Sequence, residues 1–480
     1  MTKFIPIPTP RSGSPHDAVR ASRVDAASSA SPKALVNRNI LAAALEQYKP
    51  ASDQPFKTEQ LRILLLENVS QGAAAQLREA GFHVDHFAKA WSEEELLAGI
   101  GHYHAIGIRS KTKLTSKVIK AASKLLVVGC FCIGTNQVDL GAAAESGICV
   151  FNSPYANSRS VAELVISQVI ALSRQYVDRT NELKQGIWNK VSSGCWEVRG
   201  KTLGIVGYGH IGSQLSVLAE AMGMSVLYYD VLPIMPLGQA RQVDSLEQLL
   251  SSSDFVTLHV PELPETKNMI GAKELAQMRK GAYLLNNARG TVVDLEALAE
   301  ALNSKHLAGA AVDVYPTEPK GNGAELFTGK ELGPFADKLR QCPNLILTPH
   351  IGGSTEEAQR MIGIEVGTAL FKYLTYGTSI NAVQFPEVDL RIPVKPKEGE
   401  NRQARILHVH KDEPGVLKEI NTILSDENTG HFNVSKQYSD SRDGIAYLMA
   451  DVTDVSEVDI GSIFDRISST RHNILTRILH

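Results

Sequence analysis

Short apolar runs alternate with amphipathic stretches along most of the chain between Leu61 and His350. Buried strands that alternate with helices are typical of a parallel sheet covered by helices on both faces. The pattern predicts strands in the segments RILLLEN, HVDHF, AIGIRS and LLVVGCF, and helices over 73–80 and 93–100. A long helix over 158–175 follows and separates this first α/β domain from the next one.

A second set of apolar runs begins at Leu203. Strands are predicted at 203–206 and 225–229 and in DFVTLHV, AYLLNN, GAAVDV and NLILTPH, and helices over 211–222 and in SLEQLLSSS, KELAQM and LEALAEALNS. This order predicts a doubly wound domain, whose ligands bind at the carboxyl ends of the strands. A further helix over 356–373 then predicts a return of the chain to the first domain.

The pattern changes to βαββαβ beyond a charged, proline-containing segment. Strands are predicted at 405–410, 432–438, 445–451 and 474–479, and helices from Pro414 and over 457–469. This order is that of a ferredoxin-like unit. The sequence therefore predicts an α/β protein with two doubly wound parallel-sheet domains, one flavodoxin-like and one Rossmann, plus a ferredoxin-like βαββαβ unit.

The domain boundaries follow from these patterns. We expect a disordered tail over 1–52, the first domain over 53–156 and the Rossmann domain over 157–350. Residues 351–385 are expected to return to the first domain, followed by a linker over 386–402 and the ferredoxin-like unit over 403–480. The tail is rich in Ser, Pro and Ala and shows little apolar periodicity before Ala34. A mitochondrial transit peptide stays open there as an alternative, although scattered prolines disfavour an amphipathic helix.

Composition and charge exclude several classes of partner. The 480 residues carry a formal net charge of −3, and no long basic run indicates a nucleic-acid or membrane-surface partner. No apolar stretch reaches the ~18–20 residues needed to cross a bilayer. The five cysteines are scattered and odd in number, which favours reduced thiols, a cytoplasmic location and no bound metal.

The segment TLGIVGYGHIG combines a strand, a tight turn and a helix around a G-x-G-x-x-G motif. In this motif Gly207 permits the turn, Gly209 lets a pyrophosphate approach the backbone, and Gly212 lets the helix pack on the strand. A second apolar strand ends in Asp230, where a carboxylate can accept hydrogen bonds from a ribose 2′-hydroxyl. Because no cation follows for a 2′-phosphate, NAD is predicted rather than NADP.

Three charged residues follow buried strands of the same domain: Arg289, Glu318 and His350. Hydride transfer between a hydroxyacid and NAD needs a base, a partner for that base and a cation for the carboxylate. An imidazole titrates near neutrality, a neighbouring carboxylate stabilises its cation, and a guanidinium binds a carboxylate in bidentate geometry. Taken singly, each residue is also compatible with a solvated surface charge.

The segments GYGHIG, NNARGTVVD, AAVDVYPTEP and LTPHIGGSTEEAQ resemble the signature segments of NAD-dependent D-2-hydroxyacid dehydrogenases. Within that family, IRSKTKLT, GCFCIGTNQVDL, NSRSVAELVI and the C-terminal unit resemble the D-3-phosphoglycerate dehydrogenases. The resemblance implies that Arg289, Glu318 and His350 are catalytic. It also implies NAD contacts at His210, Ile211, Asp230, Asn287, Ala288, Arg289, Asp313, His350, Ile351, Gly352 and Gly353, with Asp313 facing the nicotinamide carboxamide.

The resemblance further implies that 3-phosphoglycerate is the substrate. Its phosphate would be bound by the cations of Arg109 and Lys111 and by Ser110 between them, at the end of the strand AIGIRS. Lys111 stands where related enzymes often carry a second Arg. Lys190 looks like an additional cationic residue of the family, and Trp188 like an intersubunit anchor. Ordinary packing or solvent exposure is the alternative for both.

The terminal unit resembles an ACT domain, a sensor of small ligands that pairs with its counterpart in another subunit. The resemblance implies a homo-oligomer, a dimer or a tetramer, with L-serine as a possible effector. Candidate effector-binding residues are His410, Asp412 and Asn433. Asp412 stands where serine-inhibited relatives commonly carry Asn, and a role in assembly alone is the alternative.

The predicted reaction is the NAD-dependent oxidation of D-3-phosphoglycerate to 3-phosphohydroxypyruvate, the first step of L-serine biosynthesis. One alternative is a D-2-hydroxyacid dehydrogenase that acts on 2-hydroxyglutarate or on glycerate and hydroxypyruvate. From a different class, a non-catalytic NAD-sensing module similar to a corepressor can keep the glycine-rich loop for binding alone.

Overall fold

The computed structural model describes residues 60–319, 323, 326, 335–392, 403–426 and 433–480. The predicted tail over 1–52 and residues 393–402 of the predicted linker lie outside this part of the chain. The described remainder of the linker packs against the core, because Val388 is fully buried and its carbonyl accepts a hydrogen bond from Ser379 N. None of the described helices combines the length and apolar composition needed to span a bilayer.

The first lobe is a five-stranded parallel sheet in the order β2-β1-β3-β4-β5. Its strands are β1 Arg62–Leu65, β2 His83–His86, β3 Ala105–Ile108, β4 Val127–Cys130 and β5 Cys149–Phe151. Its helices are α1 Gln71–Glu79, α2 Glu93–Gly99, the 3₁₀ turn Ile100–His102, α3 Ser116–Ala121 and α4 Leu140–Glu145. This order is that of the flavodoxin-like fold, whose strand order reverses between β1 and β3.

The second lobe is a seven-stranded parallel sheet in the order β12-β11-β10-β9-β6-β7-β8. Its strands are β6 Thr202–Val206, β7 Ser225–Tyr229, β8 Arg241–Gln242, β9 Phe255–Leu258, β10 Tyr283–Asn286, β11 Gly309–Val312 and β12 Leu345–Leu347. Its helices are α5 Ser158–Ser173, α6 Tyr176–Lys184, α7 His210–Ala221, α8 Leu246–Ser252, α9 Ala272–Gln277, α10 Leu295–Asn303 and α11 Phe335–Arg340, with 3₁₀ turns Pro264–Thr266 and Gly290–Val292. The strand order is that of the Rossmann fold with one strand added beyond it, and it reverses between β6 and β9.

The long helix α12, Glu356–Tyr376, leads the chain from the second lobe back to the first. It begins at Thr355, whose side chain accepts a hydrogen bond from Ala358 N, and it ends at Gly377, which has a φ of 79°. The helix lies against β4 so closely that a Cβ atom on Gly129 would come within 2.7 Å of Val366. The predicted helix over 356–373 is thus confirmed and extends one turn further.

The C-terminal unit is a four-stranded antiparallel sheet in the order β14-β15-β13-β16. Its elements are β13 Gln403–Lys411, α13 Val416–Leu424, β14 Asn433–Arg442, β15 Ile445–Thr453, α14 Glu457–Ser468 and β16 Asn473–Leu479. One face of the sheet is covered by α13 and α14, and the other adds Leu407, Val409 and Tyr447 to the core of the first lobe. The predicted fold class is therefore confirmed for all three sheets.

A buried ion pair fixes the C-terminal unit to the end of α12. The Arg405 guanidinium is fully buried and donates to both carboxylate oxygens of Asp451, at 2.6 and 2.9 Å. It also donates to the Tyr376 carbonyl at 2.9 Å, while the Tyr447 hydroxyl donates to the Gly377 carbonyl at 2.7 Å. Because the last carbonyls of a helix have no partner within it, these two donors satisfy groups that burial would otherwise leave unpaired.

Candidate active site

The glycine-rich loop joins β6 to α7 at the point where the strand order of the second lobe reverses. Gly207 has a φ of 90°, and a Cβ atom there would lie 2.8 Å from the His259 carbonyl oxygen. A Cβ atom on Gly212 would lie 2.4 Å from the Gly207 carbonyl oxygen, whereas one on Gly209 would meet nothing within 4 Å. The three glycines therefore supply the turn, the open space and the close packing that a dinucleotide pyrophosphate requires.

The helix N-terminus beside this loop is open to an anion. Helix α7 begins at His210, after Gly209, and no side chain caps it. Its first N–H groups therefore lack partners within the helix and carry the positive end of the helix dipole. The loop and helix have the shape that a dinucleotide pyrophosphate needs, and the predicted contacts of NAD with Gly207, Gly209 and Gly212 stay a prediction.

Asp230 follows β7 and faces this loop. Its carboxylate accepts hydrogen bonds from Tyr208 N at 2.8 Å and from Leu232 N at 3.0 Å. A carboxylate has about four lone-pair positions. Asp230 can therefore support the glycine-rich turn and still accept the hydroxyls of a ribose.

The sequence did not predict a contact between the lobes at His210. The Tyr155 ring, from the segment that leaves the first lobe, stacks on the His210 ring with centroids 3.6 Å apart. Tyr155 is half exposed, so the stack lies at the surface of the protein. No local pattern in the segment NSPYANS predicts this stacking, because its partner His210 is far away in the chain.

His350 and Glu318 meet at the carboxyl edge of the second sheet. His350 Nδ1 lies 2.8 Å from Glu318 Oε2. This hydrogen bond raises the pKa of His350 above its ordinary value, although burial and the charge of Arg289 oppose the shift. Burial also opposes ionisation of Glu318, but its hydrogen bond with His350 holds the pKa of Glu318 below the ordinary value. The three residues that the sequence singled out thus influence one another electrostatically.

Arg289 lies in the loop after β10 and is half-buried. Its Nη1 donates to the Ala288 carbonyl at 2.8 Å, which leaves further guanidinium donors for a ligand. The loop is held by Asn286, whose amide nitrogen donates to the Arg289 carbonyl and whose amide oxygen accepts from Ala288 N. Next to it, the buried side chain of Asn287 has no hydrogen-bond partner among the described residues, so both of its amide atoms are available to a ligand.

Asp313 anchors the loop that carries His350. Its carboxylate accepts from Thr348 Oγ1 at 2.6 Å, from Ile351 N at 2.9 Å and from Gly352 N at 2.8 Å. The Asp313 carbonyl also accepts from His350 N at 2.7 Å, and His350 has a left-handed φ of 53°. Most of the carboxylate's acceptor capacity therefore serves the loop itself. The predicted contact of Asp313 with the nicotinamide carboxamide stays a prediction.

The predicted phosphate-binding residues follow β3 in the first lobe. Arg109 is half-buried, and Ser110 and Lys111 are exposed. Within the described part of the chain, neither Arg109 nor Lys111 forms a salt bridge, so both charges are available to an anion. Lys190 lies in an exposed stretch after α6, in which Trp188 is 81% exposed.

Within one chain, the candidate effector residue Asn433 lies far from the other two, His410 and Asp412. His410 on β13 pairs with Ala446 on β15, whereas Asn433 on β14 pairs with Thr453. Those two positions of β15 are separated by seven residues, which corresponds to ~24 Å along a strand. His410 is buried and Asp412, close by, is exposed. An effector site that includes Asn433 therefore requires a second copy of the unit.

Comparison with known proteins agrees with this geometry. Residues 166–352 match the family model described as D-isomer specific 2-hydroxyacid dehydrogenase, NAD binding domain. The D-3-phosphoglycerate dehydrogenase 1 of Saccharomyces cerevisiae is 55% identical over 427 residues, which are 89% of this chain and 89% of the yeast protein. The D-3-phosphoglycerate dehydrogenase of Dictyostelium discoideum is 49% identical over 425 residues, which are 88% of this chain and 98% of that protein.

Among solved structures, the D-lactate dehydrogenase with NAD+ from Lactobacillus jensenii is similar to this chain. The TM-score is 0.59 at 28% identity, over 66% of this chain and 97% of that chain. The resemblance read from the sequence is therefore confirmed. The chain belongs to the D-isomer specific 2-hydroxyacid dehydrogenases, which are NAD-dependent oxidoreductases, and within them to the D-3-phosphoglycerate dehydrogenases.

Proposed function

We propose that this protein oxidises the 2-hydroxyl of D-3-phosphoglycerate to give 3-phosphohydroxypyruvate, the first step of L-serine biosynthesis. The observation that carries the proposal is the 2.8 Å contact between His350 and Glu318 beside Arg289, on the lobe that holds the glycine-rich loop. The similarity to the yeast and Dictyostelium proteins over most of the chain supports the choice of substrate.

His350 takes the hydroxyl proton. Because the Glu318 carboxylate only accepts hydrogen bonds, the proton of a neutral His350 lies on Nδ1 and the lone pair on Nε2. Nε2 is therefore the base, and Glu318 is a positioning residue that fixes this tautomer and stabilises the imidazolium once Nε2 is protonated. In the reverse direction the imidazolium returns the proton.

Arg289 binds the substrate carboxylate. A planar guanidinium matches a carboxylate with two parallel hydrogen bonds, and its charge also polarises the neighbouring C2 oxygen. Asn286 holds the Arg289 loop in place through its two hydrogen bonds. These contacts orient C2 toward the second lobe and its hydroxyl toward His350.

Bound NAD supplies the acceptor for the hydride that leaves C2. The residues proposed to hold NAD are Gly207, Gly209, His210, Ile211, Gly212, Asp230, Asn287, Ala288, Arg289, Asp313, His350, Ile351, Gly352 and Gly353. The open space over Gly209 and the unpaired amide of Asn287 support this assignment. Asp230 disfavours a 2′-phosphate by charge repulsion, which supports NAD over NADP.

The substrate phosphate is proposed to bind Arg109, Ser110 and Lys111. Two cations at the carboxyl edge of the first lobe suit a dianionic group, whereas a neutral methyl such as that of lactate needs none. Lys190 is proposed as an additional cation of the site.

We further propose a cytoplasmic homo-oligomer with an effector site between paired C-terminal units. Strand β14 is an edge strand whose side chains are nearly all exposed, and such edges are usually covered by pairing. Exposed apolar side chains around α6, including Trp188, support a second contact between subunits. An amino acid such as L-serine is proposed to bind His410 and Asp412 of one copy and Asn433 of the other.

The test is NADH formation by the purified protein with D-3-phosphoglycerate at alkaline pH, with and without L-serine. Parallel assays use D-2-hydroxyglutarate, D-glycerate and D-lactate, and NADP in place of NAD. Preference for the phosphorylated acid and for NAD supports the proposal, and suppression by serine supports the effector site. Turnover of only an unphosphorylated acid, or of none, rejects the substrate assignment.

A further inference from the structure

A buried glutamate at the end of β1 reaches the loop that carries Arg109 and Lys111. Glu67 is 8% exposed. Its carboxylate accepts backbone hydrogen bonds from Arg109 N at 3.2 Å, Lys111 N at 2.9 Å and Thr112 N at 2.7 Å. The Glu67 carboxylate therefore occupies three of the backbone N–H groups, those of Arg109, Lys111 and Thr112, that this loop would otherwise offer to a bound phosphate.

The position of Glu67 is the reversal point of the first sheet. Glu67 follows β1, and the Arg109 loop follows β3, between which the strand order changes direction. In sheets of this topology the two loops at that point diverge and leave a crevice for a ligand. The Glu67 carboxylate joins these two loops through its hydrogen bonds to the loop after β3.

The backbone at Glu67 is held in a rare conformation. Glu67 and Asn68 have φ angles of 62° and 53°, in the left-handed region that residues other than glycine seldom adopt. The conformation is fixed by hydrogen bonds from Glu67 N to the Lys89 carbonyl and from Asn68 N to the Phe87 carbonyl. Strained backbone of this kind persists where the surroundings determine it and is common at ligand sites.

A second buried side chain holds the same loop from the other side. Gln137 is 5% exposed, and its amide nitrogen donates to the Arg109 carbonyl at 2.7 Å and to the Gly134 carbonyl at 3.0 Å. Glu67 thus accepts hydrogen bonds from three N–H groups of the loop, and Gln137 donates one to the Arg109 carbonyl. The backbone of the loop is fixed on both sides, and the side chains of Arg109 and Lys111 remain for recognition.

We infer that Glu67 is a positioning residue for recognition of the substrate phosphate, acting through the Arg109–Thr112 loop. The inference rests on the proposed function. Since three of the backbone N–H groups of this loop are already occupied, the phosphate is bound mainly by side chains, whose placement depends on the Glu67 carboxylate. Loss of that carboxylate is expected to weaken substrate binding and to leave the chemistry at His350 and the binding of NAD unchanged.

The test compares steady-state constants of the full-length wild type with those of Glu67→Gln and Glu67→Gly. Glutamine keeps the size of the side chain but loses the charge and one acceptor oxygen. Glycine removes the carboxylate and also relieves the left-handed backbone, so that it separates loop positioning from folding stability. Glu79→Gln, the same change on the exposed end of α1, is the matched control.

Both Glu67 variants are expected to raise KM for D-3-phosphoglycerate by about tenfold to a hundredfold, because small displacements of binding groups cost that much. The value of kcat is expected to change by less than about threefold, and KM for NAD to stay constant, as does every constant of Glu79→Gln. Inhibition by inorganic phosphate should weaken in parallel with substrate binding.

An unchanged KM for D-3-phosphoglycerate in Glu67→Gly overturns the inference. So does a loss of kcat with KM preserved, because that pattern indicates a smaller active fraction rather than a displaced loop. A wild-type protein that does not oxidise D-3-phosphoglycerate defeats the proposed function instead. The two failures are therefore distinguishable.

Discussion

Replacing Glu318 by glutamine tests the proposed role of the pair with His350. The amide has nearly the same shape but carries no charge, so it can hold the ring without stabilising the imidazolium. Hydrogen bonds to charged groups contribute ~1.5–3 kcal/mol. Because the two side chains are 51% and 36% exposed, solvent screening favours the low end of that range. About 1.5 kcal/mol corresponds to roughly a tenfold loss of rate.

The pH dependence of the same variant has a defined sign. Oxidation requires neutral His350, so activity is lost as the pH falls through the pKa of His350. Its hydrogen bond with Glu318 raises that pKa, and hence Glu318→Gln should lower it and move the acidic limb of kcat/KM to lower pH. Reduction of the oxoacid requires the imidazolium, so its alkaline limb should also move to lower pH.

The assay is kcat/KM for D-3-phosphoglycerate across the pH range, followed by NADH absorbance, with His350→Gln as the reference. The His350→Gln variant should show no acidic limb in its pH profile of kcat/KM. Its rate should be lower by a factor of ~10²–10⁴, because the base is gone. The Glu318→Gln variant should keep the acidic limb at a lower pH, and the plateau of its kcat/KM should be about tenfold lower than that of the wild type. A limb that stays in place, or one that moves to higher pH, contradicts the proposed pairing.

Three further changes have expected outcomes. Asp230→Ala should weaken NADH binding about tenfold to a hundredfold in a fluorescence titration, without creating affinity for NADPH, because the ribose acceptor is lost and no cation is gained. Gly290→Ala should lower the free energy of unfolding of the protein by ~1–3 kcal/mol, measured with a denaturant. The new Cβ would lie 1.9 Å from the Tyr315 carbonyl carbon and must push the Arg289 loop away. Asp451→Ala should destabilise the C-terminal unit by ~3–5 kcal/mol, because it leaves Arg405 buried without a counter-charge; unchanged hydrogen exchange over 403–480 would rule this out.

The fold was predictable wherever an element is long enough to show its period. The strand 225–229 was predicted to the residue, and the ends of the predicted long helices lie within a few residues of those observed. The elements missed are short or lack a buried face. Helices α3 and α4 have six residues each, less than two turns, and α6 has no buried residue at all. Hydrophobic periodicity cannot reveal a helix that buries nothing.

The site was predictable to the extent that chemistry follows strand ends. Parallel strands bring their carboxyl ends to one edge, so Glu318 and His350 could be expected near each other from their places in the sequence alone. The hydrogen bonds of Glu67 to the loop that carries Arg109 could not be predicted in this way. Its segment LLLEN is an ordinary strand end, and its partners lie more than forty residues away in the loop after β3. The predicted flavodoxin-like fold brings the ends of β1 and β3 to the same edge of the sheet. It does not determine that the Glu67 side chain turns toward the N–H groups of the neighbouring loop.

An acidic residue after a buried strand can fix the backbone of a neighbouring loop, bind a ligand, or do both. Three such residues in this chain illustrate these roles. Glu67 and Asp313 direct their carboxylates mainly at backbone N–H groups of the loops that carry the proposed ligand-binding residues. Asp230 holds the glycine-rich turn in the same way and lies on the strand end where a ribose is expected. The common cause is that loops at the carboxyl edge have N–H groups without sheet partners, and burial makes each unpaired group costly. A carboxylate satisfies two or three of these groups at once, so an acid at a strand end fixes its loop even when it also binds a ligand. Replacing such a residue consequently tests loop geometry and ligand contact together unless a second variant separates them.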